Sequence, residues 1–196
     1  MHFTSIILLL AASLTAGQAP ASTPQKVTVL VTYHSGGGHT GALAQAVAEG
    51  ARSVDGTSVT LKPVSQVTCQ ELTATQGLII GSPVYWSNMS GEVKSFFDRW
   101  TTECKFLPPD FPMKDKVGGA FVTGGEVSSG KEITLMTIVA ALLGNRMIVV
   151  SDGQALGATA TTGEGGLPLD AKALDEGRRL GARVAATAGL VARGRR

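Results

Sequence analysis

The sequence predicts an α/β domain: a doubly wound sheet of five parallel strands with helices on both faces. Three observations carry that expectation. Apolar runs rich in Val and Ile alternate with longer segments whose apolar residues recur at helical spacing. The strand-like runs are short and apolar, as in a parallel sheet covered front and back. Three glycines, Gly36, Gly37 and Gly38, stand directly between the first such run and the first helical stripe.

In order along the chain, "QKVTVLVTY" is β-branched and bounded by Pro24 and the glycine cluster, so it reads as a buried strand. From Thr40 the spacing of Leu43, Val47, Ala51 and Val54 marks a helix, ended by Asp55-Gly56. "TSVTLKPV" alternates as a second strand and "GLIIGSP" is a third, buried one. "SGEVKSFFDRWTTE" is a helix with Ser90 as its N-cap and Val93, Phe96, Phe97 and Trp100 facing the core. After the "LPPDFP" turn, "KVGGAFVT" is a fourth strand, "EITLMTIVAALLG" an apolar helix stopped by Gly144, and "RMIVV" a fifth strand. "DGQALGATATTGEGGLP" reads as a long loop before the final helix, "LDAKALDEGRRLGARVAATAGLVARG". No repeat or linker divides the chain, so one domain is expected over residues 26–192, with a basic tail at 193–196.

Residues 1–21 are expected to be a secretory signal peptide: an apolar core from Ile6 to Leu14 and a small-x-small site, Ala19-Pro20-Ala21. That run falls short of the roughly 20 residues that span a bilayer, and no later segment is apolar enough to do so. Export is therefore the expected route, and there is no twin-arginine motif. The remaining chain is long enough to bury about 70% of its unfolded surface without staples. Net charge is +2. From Asp170 onward seven Lys/Arg face three acids, the charge of a solvated helix end near a negative dipole pole rather than of a nucleic-acid surface. The two cysteines, Cys69 and Cys104, are too few for a disulfide framework or a zinc site; in an oxidising compartment one bridge, away from the glycine loop, is possible.

Ligands of open parallel sheets sit beyond the carboxyl ends of the strands. The loop there reads Ser35-Gly36-Gly37-Gly38-His39-Thr40 and opens straight into a helix. Bare backbone lets several amides converge, the helix start adds a positive dipole end, and two hydroxyls flank them; together these suit a phosphate. A P-loop needs Lys then Ser/Thr where this chain has His39-Thr40, so ATP and GTP are not expected. A dinucleotide fingerprint fits only loosely, since Asp55 precedes the second strand instead of ending it. No serine lies in a G-x-S-x-G elbow, which removes the esterase reading. The third strand ends in "GSPVYW", where Pro83 redirects the chain and Tyr85-Trp86 form an aromatic pair; the fourth ends in the amide-rich "TGGEVSSGK". A phosphate loop, an aromatic wall and an amide-rich loop on one sheet edge suit a flat heteroaromatic monophosphate such as FMN.

At these residues the sequence resembles the flavodoxin-like NAD(P)H:quinone oxidoreductases of the tryptophan-repressor-binding type. The matching pieces are S-x-x-G-H followed by "AQAVAEGARSVDG", then "GSP…NMSGEVKSFFD", "SGKEIT…MIVV" and "GATATTGEGG", from Val27 to about Ala186. The resemblance implies strand order 2-1-3-4-5 and an FMN cofactor. It implies that Ser35, Gly36, Gly37, Gly38, His39 and Thr40 hold the phosphate. Pro83, Val84, Tyr85 and Trp86, with Asn88 and Met89 behind, would border the isoalloxazine. Gly125, Glu126, Val127, Ser128, Ser129 and Gly130 would line its pyrimidine side. Asn145 stands where the family has a flavin-facing His, Gly37 where it has an aromatic, and the segment from Cys104 to Met113 aligns poorly. The implied activity is hydride transfer from NAD(P)H through flavin N5 to a quinone or similar acceptor, in a self-associating protein, with the cofactor carrying the chemistry. Plainer roles remain for several of these residues: Tyr85 and Trp86 as a cap on the sheet, Asn88 as a turn, His39 as a helix-start donor, Met89 as core. Two other functions also remain, an FMN electron carrier that uses no nicotinamide and a flavin-free binding scaffold.

Overall fold

The computed structural model describes residues 26–152, 155–162 and 168–195. The leader expected over residues 1–21 and the whole "GEGG" segment lie outside these. Chain order is β1 (Val27–Tyr33), α1 (His39–Arg52), β2 (Thr57–Pro63), α2 (Cys69–Ala74), β3 (Gly77–Tyr85), β4 (Asn88–Met89), α3 (Gly91–Thr102), β5 (Val117–Gly124), α4 (Lys131–Gly144), β6 (Ile148–Val149), β7 (Ala158–Thr161) and α5 (Ala171–Gly194).

β2, β1, β3 and β5 lie side by side and parallel, in the expected order. The fifth place is shared: β6 pairs with Val117 and Gly118 at the start of β5, and β7 with Phe121 to Gly124 at its end. This corrects the expectation of one continuous fifth strand followed by a loop. The "ATAT" of β7 is too short and too small to announce itself, and it becomes a strand only by pairing with β5. Short elements were missed for the same reason. α2 spans six residues and relies on a capping box, in which the Glu71 amide donates to Thr68 Oγ1 and the Thr68 amide to the Glu71 carboxylate. At the other end, α5 continues through Gly194, so half of the expected basic tail is its last turn.

Alternation along the strands makes two cores. Val29, Val31, Ile79 and Phe121 pack under α1 and α5, with Leu43, Val47, Leu180 and Val184. Leu30, Leu78, Ile80 and Val122 pack under α3 and α4, where Trp100 meets Phe96 edge-on at 5.6 Å. Each fully buried large apolar side chain contributes about 1.5–3 kcal/mol, so both faces are needed for stability. α1 and α5 approach so closely that a Cβ on Gly181 would overlap the Val47 carbonyl. Helix propensity alone favours Ala over Gly by about 1 kcal/mol. Here the contact reverses that sign: Gly181→Ala is expected to destabilise by roughly 1–3 kcal/mol, read as a lowered urea midpoint, whereas a raised midpoint would mean the helices are not in backbone contact.

Cys69, the first residue of α2, is bridged to Cys104 just beyond α3, with Cα atoms 5.4 Å apart. Nearby, Lys116 Nζ donates to the carbonyls of Leu72, Thr73 and Thr75 at the end of α2. Burial, with Arg195 adding repulsion, brings this ammonium down from 10.5 to about 8. The unfolded chain therefore holds the proton to higher pH than the folded one, and between about 8 and 10.5 this group makes stability rise with pH. Lys116→Met is expected to flatten that rise in a series of urea midpoints.

Candidate functional site

The first wall of the site is the turn after β1. Gly38 takes φ 86° as the N-cap of α1, a conformation that suits glycine, which offers no side-chain cap of its own. The Ser35 hydroxyl accepts from the Gly41 amide, and the Ala42 amide donates to the Gly38 carbonyl. The amides of His39 and Thr40 have no intrahelical acceptor and point out of the helix end. Thr40 is buried with its hydroxyl 2.8 Å from that of Thr123, which ties the loop to the end of β5. His39 Nε2 is buried and has no hydrogen-bond partner among the described residues. A group of that kind inside a cleft calls for a ligand atom or water.

The second wall is the end of β3. Val84 and Tyr85 pair with Met89 and Asn88 in a hairpin whose two turn residues, Trp86 and Ser87, have φ 50° and 62°. Such left-handed pairs match the twist of a two-residue hairpin, and here neither is glycine. Packing holds the hairpin in place. The Ser90 amide donates to Ser82 Oγ, the Thr137 hydroxyl donates to Asn88 Oδ1, and the bare α-carbon of Gly130 (φ 89°) lies against Ser87. Tyr85 turns inward, close enough to the glycine loop that a Cβ on Gly36 would lie 2.7 Å from its hydroxyl.

The third wall is the end of β5. The Ser129 hydroxyl and Lys131 Nζ both donate to the Glu126 carbonyl, and Lys131 Nζ lies 2.5 Å from the Thr161 hydroxyl. Lys131 is only 5% exposed. Its stem crosses the α-carbon of Gly124, so a buried cation braces this loop against β7.

The three walls enclose one cavity of about 160 Å³, bordered by Ser35, Gly36, Gly37, His39 and Thr40, by Pro83, Val84 and Tyr85, and by Thr123, Gly124, Gly125 and Thr162. Five expected residues outside the β5–α4 loop do not border it: Trp86, Met89, Asn88, Asn145 and Gly38, the last of which lines a neighbouring hollow instead. Trp86 stands fully in solvent at the hairpin tip. Met89 packs into the core under α3 and α4, and Asn88 is a hairpin brace. Asn145 is farther away still: its amide donates to the Ala141 carbonyl at the end of α4, beside the start of β6, on the opposite edge of the sheet. Of the β5–α4 loop only Gly125 lines the cavity; Glu126, Val127, Ser128, Ser129 and Gly130 form its lip. Thr123, Gly124, Thr162 and Lys131 were not singled out from sequence, because they read as strand, loop and helix start.

The sequence matches the NADPH-dependent FMN reductase family over residues 25–162. The chain belongs to that family. A flavodoxin of Aquifex aeolicus is 31% identical over 172 residues, covering 86% of this chain and 90% of its own. The NAD(P)H dehydrogenase (quinone) of Chromohalobacter salexigens is 32% identical over 143 residues, 62% of this chain and 69% of that one. Among solved structures, a WrbA-like flavodoxin from Agrobacterium tumefaciens shares 29% identity and superposes with TM-score 0.70, covering 83% of this chain and 97% of its own. This is an FMN-binding, flavodoxin-like oxidoreductase family, and the strand order agrees with it. The residues present fit the phosphate end of that cofactor: outward amides at a helix start, the hydroxyls of Ser35 and Thr40, and the partnerless His39 Nε2.

Proposed function

We propose that this protein is an FMN oxidoreductase that takes electrons from NAD(P)H and delivers them to a quinone or similar acceptor. One observation carries the reading: three strand-end loops converge on a single cavity whose glycine wall offers outward amides and an unpartnered imidazole nitrogen. When bound, FMN supplies two-electron transfer at N5; the protein supplies binding and orientation. Ser35 to Thr40 would hold the phosphate and Tyr85 would border the ring system, with the lip from Gly125 to Gly130 beside it. Lys131 keeps that lip attached to β7, so the wall is pre-formed rather than assembled on binding. The name of the quinone-reducing relative supports the acceptor class.

A second reading, an FMN carrier with no use for nicotinamide, is supported by relatives named flavodoxin and by Gly37, where the family carries an aromatic residue. One experiment separates the two. Protein reconstituted with FMN is mixed with NADPH or NADH and benzoquinone. FMN-dependent oxidation of either nicotinamide is expected. A yellow protein that oxidises neither is a carrier, and one that stays colourless has no flavin function.

We also propose self-association through α4. Ile133, Met136 and Leu143, with Ile148 beyond, form an exposed apolar stripe on a helix that is also buried on its other side. Met136→Glu is expected to convert the assembly to monomer in sedimentation velocity without lowering the thermal midpoint. Export through the N-terminal leader is proposed as well, and the Cys69–Cys104 bridge supports it, because such bridges persist in oxidising compartments. Among the described residues no helix is long and apolar enough to cross a membrane.

A further inference from the structure

The glycine-loop cavity does not use His34, the residue just after β1. One position past Tyr33, its side chain falls on the α3 side of the sheet, the side opposite the α1–α5 core against which Tyr33 packs. His34 Nδ1 lies 3.0 Å from Ser90 Oγ, the N-cap of α3, and 3.2 Å from Glu92 Oε2 in its first turn. A carboxylate on one ring nitrogen orients the imidazole, leaving the other nitrogen for proton transfer. The ring also stands edge-on to Tyr85, centroids 6.1 Å apart.

Two adjoining hollows meet at Glu92. One, of about 420 Å³, is lined by His34 and Glu92 and also by Ser35, Gly38 and Gly41 of the glycine loop. The other, of about 630 Å³, has apolar walls of Val64, Tyr85 and Phe96, with Glu92, Ser95 and Arg99 as its main polar groups. Val64, Ser65 and Glu92 border both. Tyr85 lines the larger hollow and also the glycine-loop cavity, so the two adjoin at one side chain. The size lies within the ordinary range for small-molecule sites, roughly 300–1,000 Å³. Charge narrows the occupant. Arg99 is already paired with Glu103 and with the Val67 carbonyl, and Glu92 adds negative charge, so this groove suits a neutral compound rather than the phosphates of a dinucleotide.

We propose that the groove between residues 64–65 and α3 binds a neutral carbonyl acceptor of the quinone class, and that His34, oriented by Glu92, donates a proton to it. The proposal rests on the oxidoreductase reading above. Reduction of a quinone consumes two electrons and two protons. Bound FMN would supply the electrons and one proton together as hydride. The second proton would come from His34 Nε2: its N–H bond breaks, an O–H bond forms on the acceptor, and the ring regains a proton from solvent. The titratable side chains facing the ring are Glu92 of α3, Tyr85 of β3 and, along the shared hollow, Tyr33 of β1; α1 offers only Gln45.

Ferricyanide accepts electrons without protons and serves as the control. In FMN-loaded protein, His34→Gln is expected to lower the ratio of benzoquinone to ferricyanide turnover about 10²-fold, the usual size of general-acid catalysis. Glu92→Gln is expected to lower the same ratio by a smaller factor, since the ring loses the carboxylate that orients it. Binding is read separately by NMR of the histidine rings as 2-methyl-1,4-naphthoquinone is added to the protein without FMN. The His34 signals should shift, and Ser95→Trp, an exposed change that fills the groove, should weaken that binding at least tenfold. An unchanged ratio in His34→Gln, or naphthoquinone binding indifferent to Ser95→Trp, overturns the proposal. Failure of every variant to bind FMN instead overturns the oxidoreductase reading, and the NMR titration then still decides whether the groove exists as a site.

Discussion

A Gly37→Asp protein is expected to bind FMN about 200-fold more weakly than the unmutated chain and to bind riboflavin equally well. Position 37 is suited to the test because it has room. A Cβ there would meet only the His39 ring, at 3.4 Å and beyond, and the backbone is not left-handed. The substitution therefore adds charge without disturbing the turn, unlike any change at Gly38, whose φ of 86° would strain a side chain. A carboxylate about 5 Å from a phosphate is repelled by about 3 kcal/mol at an effective dielectric near 20. Roughly 1.4 kcal/mol is tenfold in affinity, hence the figure of about 200. Riboflavin lacks the phosphate and separates this electrostatic effect from general damage to the cavity. Equal FMN affinity in the two proteins would place the phosphate elsewhere, and with it the whole site.

Replacing both Cys69 and Cys104 with serine is expected to lower the unfolding free energy by about 4 kcal/mol. The bridge spans a sequence separation of 35, and closing a loop of that length removes conformational freedom mainly from the unfolded chain. The closed segment contains β3, the hairpin and all of α3, so the element that carries Ser90 and Glu92 lies within it. A domain of this size is usually stable by only about 5–15 kcal/mol, so the loss is a large share. The measurement is the urea midpoint of the folded double variant against the unmutated chain, with and without reductant. A difference below about 1 kcal/mol, or one that reductant does not reproduce, would show that the bridge does not stabilise the native state. FMN affinity should hold in the double variant while it remains folded, because Cys104 lies beyond the end of α3 that is remote from the cavity.

Much of the candidate site's geometry is legible in the sequence, and the reason is local. Ser35 to Thr40 announce themselves because only a turn feeding a helix start needs three bare residues in a row. Ser90 reads as an N-cap, and its side chain does accept from the Val93 amide. Trp86 illustrates what was not legible. Beside Tyr85 it looked like a second aromatic wall, yet left-handed φ at Trp86 and Ser87 reverses the chain and sends the indole into solvent. That reversal is held by Gly130 and Thr137, which lie more than 40 residues away in sequence. Asn145 failed differently. Matching by position placed it near the cofactor, whereas the helix that carries it ends at the far edge of the sheet.

The order of strands and helices, the apolar faces and the anion-seeking turn were set by the chain alone, since each depends on residues within a few positions of one another. Tertiary structure decided the rest. It split the last sheet position between β6 and β7, buried Lys131 behind the lip of the cavity, and joined His34 to Glu92 across 58 residues of sequence. Those contacts exist only because a twisted parallel sheet brings the ends of distant strands to one edge, and pairwise encounters of that kind leave no periodic trace in the sequence.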